Sequence, residues 1–115
     1  MDVIAEHRVD VLYPDGELVP VRLRIGRPRP HPQGDHVCPV QAEGLRLWEG
    51  PAEFAGVGSL HALMIGLRFL RDMLSTEVER GAVLHWEGGK QHLTLDDLFV
   101  LHKSAGPGAA ADGGA

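Results

Sequence analysis

The segment that most constrains the fold lies near the middle of the chain and reads GVGSLHALMIGLRFLRDML, from Gly56 to Leu74. Its large apolar residues recur every three or four positions, the spacing that places side chains on one face of an α-helix. This stripe consists of Leu60, Leu63, Leu67, Leu70 and Leu74, widened by Met64 and Met73. We therefore predict one long amphipathic helix, from about Ser59 to Glu79, which at ~30 Å is long enough to cross a small sheet.

The charges and the ends of this helix argue against a membrane span. Arg68, Arg71 and Asp72 interrupt the apolar run, whereas a spanning helix needs about 20 mostly apolar residues. Ser59 is the predicted N-cap, because its hydroxyl can accept a hydrogen bond from the first turn. Gly81 stands where a glycine commonly follows the last turn of a helix.

A second apolar patch, formed by Ala62, Gly66 and Phe69, lies beside the stripe. Glycine is a poor helix former, so Gly66 indicates the close approach of another backbone, either the sheet or a second copy of the protein. A helix that is apolar over more than half of its circumference leaves surface that a small domain does not cover. We therefore predict that Gly66 and Phe69 help to bind a protein partner, with a homodimer as one option.

Segments with period-two alternation flank the helix and predict strands. These segments cover residues 4–12, 18–25, 37–42, 45–49 and 83–86, with 91–95 as a hairpin partner for the last. The segment 95–103 fits either a short helix, capped by Thr94, or a further strand. The predicted fold is α+β, with an antiparallel sheet of about four to six strands and the long helix packed across one face.

Length and composition limit the number of domains and the cellular setting. A chain of 115 residues is expected to form one domain, over residues 1–103, with a disordered Gly/Ala-rich tail over 104–115. The formal net charge of -5 argues against a general polyanion binder. The single cysteine, Cys38, and a start without the basic-then-apolar layout of a signal peptide favour a cytoplasmic location.

Four arginines follow each other at short intervals after residue 20, with no acidic residue from Pro20 to Gln33. They are Arg22, Arg24, Arg27 and Arg29. Such a run offers a surface for a phosphate, a nucleic acid or an acidic partner. No aromatic residue is interleaved with the arginines to stack on bases, so a solvated strand face is the favoured interpretation and nucleic acid is not the expected partner.

The histidines and the cysteine raise the question of a metal site. His36 and Cys38 are two positions apart on a predicted strand, so both side chains lie on one face and offer imidazole and thiolate ligands. A third ligand such as His7 is needed, and a strand histidine beside an inert buried thiol is the simpler interpretation. A hairpin would also bring His85 opposite His92, either as a surface pair or as a ligand pair.

The order of these segments resembles a group of small, uncharacterised bacterial proteins defined only by a domain of unknown function. The resemblance is carried by IAEHRVDV, VPVRLRIGRPRP, HVCPVQAEG, GVGSLHALMIGLRFLRDML and LHWEGG. In that group the helix starts Gly-Val-Asp-Ser-Leu-Gln-Ala-Leu, and here Gly58 and His61 replace the Asp and the Gln. The resemblance covers approximately Ile4 to Gly89 and implies an architecture, without an activity or a catalytic residue to transfer.

These features together predict a non-enzymatic module that binds a protein partner or itself, without a cofactor. Two alternatives stay open. One is a metal-binding or enzymatic protein that uses His36 and Cys38. The other is a phosphate or nucleic-acid binder that uses the run from Arg22 to Arg29.

Overall fold

The structure is a computed structural model that describes residues 1–100. It contains six strands and two helices in the order β1 (Val3–Leu12), β2 (Leu18–Gly26), β3 (Arg29–Pro30), β4 (His36–Glu43), β5 (Ala52–Gly56), α1 (Ser59–Glu79), β6 (Val83–Trp86) and α2 (Leu95–Leu98). The tail predicted over 104–115 lies outside the described residues. No helix within residues 1–100 has the length and apolar character needed to cross a membrane.

All six strands belong to one antiparallel sheet. Its order is β3-β4-β2-β1-β6, and β5 pairs with β4. This confirms the predicted antiparallel sheet with one long helix packed across it. The hairpin of β1 and β2 forms at the predicted turn, where Gly16 N donates to the Tyr13 carbonyl at 2.9 Å.

Helix α1 has the predicted bounds, and its buried face overlaps the predicted stripe only in part. Leu60, placed in the predicted stripe, is 71% exposed, whereas Ala62, Gly66, Leu70 and Leu74 are buried. The helix packs mainly on β4 and β5, with a smaller contact on β2. Small residues in its first half let the helix axis approach the sheet, so the buried face is rotated towards Ala62 and Gly66.

Four further local predictions are corrected or resolved. The N-cap of α1 is Gly58, in an extended conformation and without a side-chain cap, so Ser59 is already the first helical residue. Neither predicted strand segment, 45–49 or 91–95, forms a strand. Ala52–Gly56 takes the place of the first as β5, and the second makes only an isolated bridge from His92 to His85. The segment after Thr94 begins as the helix α2, and the Thr94 hydroxyl accepts from Asp97 N at 3.1 Å, as the capping alternative predicted.

Candidate functional site

An open apolar groove lies between the sheet and the two helices. Its volume is about 210 Å³, and its walls include Ala5 and His7 of β1, Leu23 and Ile25 of β2, Leu67 of α1, and Val100. The strand alternation explains this lining, because Ala5 and His7 are on the same face of β1 as the buried core residue Val9. Towards the start of β1 the core is open to solvent.

The groove is bordered by a free edge of the sheet. Strand β2 pairs with β1 along its length, but β6 pairs only with Val9–Leu12. Strand β6 stops at Trp86, where Gly88 and Gly89 turn the chain away with positive φ angles of 101° and 71°. Within the described residues, positions 3–8 of β1 therefore have a strand neighbour on one side only. We call this edge together with the groove the groove-edge site.

The four arginines of the basic run are each paired with a carboxylate. Arg22 lies 2.6 Å from Glu6, Arg24 lies 2.7 Å from Glu43, Arg27 lies 2.8 Å from Asp2 and Arg29 lies 2.6 Å from Glu53. Every carboxylate comes from outside the run, so the local sequence could not reveal the pairing. Arg22 and Arg24 hold the pKa of Glu6 below its usual value through their hydrogen bonds. The run thus forms a charge-balanced face, and exposed pairs of this kind contribute little stability each.

His36 and Cys38 lie on one face of β4, as predicted, but they differ in their surroundings. Cys38 is 0% exposed, its Sγ is 3.5 Å from the Gly26 carbonyl oxygen, and burial raises the pKa of its thiol. Nδ1 of His36 is buried without a hydrogen-bond partner in the described part of the chain. No cluster of three or more His, Cys, Asp or Glu suited to a metal ion occurs among residues 1–100. Within these residues the pair therefore lacks the third ligand that the metal hypothesis named, and its thiol is closed to solvent.

Gly66 and Phe69 face the interior of the domain. A Cβ added at Gly66 would lie 2.8 Å from Cγ1 of Val40, so the close approach is to the sheet. Phe69 packs against Trp48 and Phe54 at ring-centroid distances of 4.8 and 4.5 Å. Of the residues predicted to bind a partner, Arg22, Arg27 and Arg29 are exposed, whereas Gly66 is buried and Phe69 is partly buried.

A buried polar network links the hairpin turn to the end of α1, and the sequence pattern gave no sign of it. Tyr13 donates to Oε2 of Glu77 at 2.6 Å, and Leu47 N donates to the same oxygen at 3.1 Å. Arg46 N donates to the Tyr13 hydroxyl at 3.0 Å, and its guanidinium lies 4.0 Å from the centre of the Tyr13 ring. The network holds the loop after β4 against α1, so we assign it a structural role.

Titration of Tyr13 is expected to report this network directly, because the chain has one tyrosine. Burial, then the hydrogen bond to Glu77, raises the pKa of Tyr13 from 10 to about 12. Above pH 10 the unfolded chain ionises first, so the free energy of unfolding should fall by up to about 1.4 kcal/mol per pH unit until pH 12. Tyrosinate absorbance should show a midpoint near 12 in the native protein and near 10 in denaturant, and a native midpoint near 10 contradicts the network.

The fold and site together define a small α+β domain with an open apolar groove beside an unpaired strand edge. The family model of a domain of unknown function, DUF6968, matches residues 5–96. The chain therefore belongs to the DUF6968 family. No curated protein and no solved structure matches the chain.

Proposed function

We propose that this domain is a non-catalytic protein-interaction module, whose groove-edge site takes up an extended segment of a partner protein. The observation that carries the proposal is the position of the apolar groove directly beside unpaired positions of β1. A free strand edge supplies main-chain donors and acceptors, and neighbouring pockets select side chains. The proposal includes the bacterial origin and the cytoplasmic location that we expect from the sequence.

The size of the groove favours side chains of a peptide over a separate small molecule. Pockets for drug-sized ligands measure about 300–1,000 Å³, whereas this groove measures about 210 Å³. Since alternate side chains of a strand point to the same face, an added strand would turn every second side chain towards the groove. The partner segment should therefore carry apolar residues at alternate positions.

The polar groups at the groove support binding rather than chemistry. Arg22 and Arg24 both donate hydrogen bonds to the Glu6 carboxylate, so this group is already paired. The His7 ring packs edge-on against Trp86, with ring centroids 5.6 Å apart. A general base needs a positioned partner and a proton within hydrogen-bond reach, and these two side chains are committed to packing and ion pairing.

The test uses Val100→Asp, with Val57→Asp as the matched control. Both valines are exposed, at 73% and 80%, but only Val100 lines the groove. Random peptides selected on the immobilised domain should carry apolar residues at alternate positions. Their affinity should fall at least about tenfold in Val100→Asp, equivalent to about 1.4 kcal/mol, and stay unchanged in Val57→Asp.

Two results would contradict the proposal, and one would redirect the choice of partner. Equal binding by both variants, or selected peptides without the alternating pattern, would rule out the groove-edge site. Light scattering on the free domain tests a second copy as the occupant. A wild-type dimer that Val100→Asp dissociates and Val57→Asp does not would place a second copy in the same site and keep the interaction function.

A further inference from the structure

We propose that His85 and His92 form a binding site for a divalent transition-metal ion such as Zn²⁺ or Cu²⁺. The two histidines lie on the sheet face opposite the groove, because Leu84 and Trp86, on either side of His85, pair with the core residues Val11 and Val9. The proposed site is therefore independent of the groove-edge site and of the function proposed for it.

The backbone already brings the two imidazoles to the spacing that one ion requires. His85 and His92 form an antiparallel bridge, and their ring centroids are 4.8 Å apart. With metal–nitrogen distances of about 2.0–2.1 Å, two imidazoles on one tetrahedral ion have centroids about 5 Å apart. The rings are almost perpendicular, at 88°, and both side chains would rotate to direct one nitrogen each at the ion.

A second observation at the same place also points to a missing ligand. His85 is only 7% exposed, and its Nδ1 is buried without a hydrogen-bond partner among the described residues. A buried polar atom without a partner costs about 1–3 kcal/mol. A bound metal ion would satisfy this nitrogen, and the exposed His92 leaves the ion a path from solvent.

An acidic side chain lies on the same face of the sheet as the two histidines. Asp10 lies opposite His85 in the pairing of β1 with β6 and is 2% exposed. Its carboxylate accepts from Arg8 Nε at 3.1 Å and from Gly88 N at 2.9 Å, which fixes it on the same face. Asp10 therefore adds a negative charge to this face, which its ion pair with Arg8 offsets.

The number and type of ligands define the class of ion. Residues 1–100 contain no group of three such ligands, so this part of the chain supplies two nitrogens to the proposed site. Imidazole selects zinc, copper and nickel over magnesium and calcium. Binding would link β6 to the segment after the Gly88–Gly89 turn. Two backbone hydrogen bonds already connect them, from Trp86 N to the Gln91 carbonyl and from Leu93 N to the Leu84 carbonyl.

The experiment uses the full chain without a histidine tag, with His92→Ala as the test variant and His31→Ala as the control. His31 lies in a loop and accepts from Gln33 N at 3.2 Å, away from the proposed site. In histidine NMR spectra, substoichiometric Cu²⁺ should broaden His85 and His92 first. Calorimetric titration with Zn²⁺ should show at least tenfold weaker binding in His92→Ala and unchanged binding in His31→Ala.

A stability measurement separates a site from loose surface chelation. Zn²⁺ should raise the urea midpoint of the wild type and of His31→Ala, because a ligand that binds the native state stabilises it. The midpoint of His92→Ala should not move. Unchanged Zn²⁺ affinity in His92→Ala, or first broadening at histidines other than His85 and His92, would overturn the proposal.

Discussion

Replacing Gly56 with alanine is expected to lower the free energy of unfolding by about 3 kcal/mol or more, since overpacking against a rigid neighbour costs about 1–3 kcal/mol and occasionally more. Gly56 ends β5 directly beneath the first turn of α1. A Cβ added there would lie 2.4 Å from Ala62 N and 2.7 Å from Ala62 Cα. Both atoms belong to the helix backbone, so the clash cannot be relieved by turning a side chain.

The matched control is Gly58→Ala, two residues further along the chain. A Cβ at Gly58 would meet no atom within 4 Å. Its expected cost is the poorer N-cap alone, about 1 kcal/mol or less. Urea unfolding followed by circular dichroism measures both variants, and equal losses for Gly56→Ala and Gly58→Ala would contradict the close contact between β5 and α1.

Replacing Glu77 with alanine should be nearly as damaging, with an expected loss of about 3 kcal/mol, because each hydrogen bond to a charged group contributes about 1.5–3 kcal/mol. The carboxylate accepts from both the Tyr13 hydroxyl and Leu47 N, and the residue is 5% exposed. Its removal leaves Tyr13 and Leu47 without their acceptor in a buried place. The loop after β4 should then lose its attachment to α1.

The control for this prediction is Glu79→Ala, an exposed glutamate on the same helix. Surface substitutions of this kind usually change stability by less than about 0.5 kcal/mol. The loss of stability in Tyr13→Phe should lie between the losses in Glu77→Ala and Glu79→Ala, because Glu77 still accepts the hydrogen bond from Leu47 N. A double-mutant cycle between Tyr13 and Glu77 should give a coupling of about 1 kcal/mol or more, and additive losses would count against the network.

Helix α1 shows which structural features the local sequence pattern predicts and which it does not. Its bounds, Ser59–Glu79, followed from apolar spacing and flanking glycines, because these are properties of a helix by itself. The apolar pattern predicted only part of the buried face. It assigned Leu60 to that face, but Leu60 is exposed, whereas Ala62 and Gly66 are buried. The burial of this part of the face follows from close packing against β4, where a Cβ at Gly66 would lie 2.8 Å from Cγ1 of Val40.

The charges of the basic run were likewise predictable only in part from the sequence. The sequence placed Arg22 and Arg24 on the outward face of a strand, and the ladder of β1, β2 and β4 bears this out. Their carboxylate partners, Glu6 and Glu43, lie on neighbouring strands. Pairing across strands depends on register, which a single strand does not specify. The arginines of the basic run, which have no acidic neighbour in the sequence, are therefore paired with carboxylates in the folded domain.

Local sequence specified the long helix α1, the hairpin of β1 and β2, strand β6 and the opposition of His85 and His92. Each of these depends on residues near each other along the chain, where propensity and turn chemistry act directly. Within residues 1–100, the tertiary structure alone fixed the unpaired edge of β1, the groove beside it, the Tyr13–Glu77 network and the lack of a third ligand near Cys38. These depend on distances between segments remote in sequence, which are fixed only when strand register and helix packing are settled together.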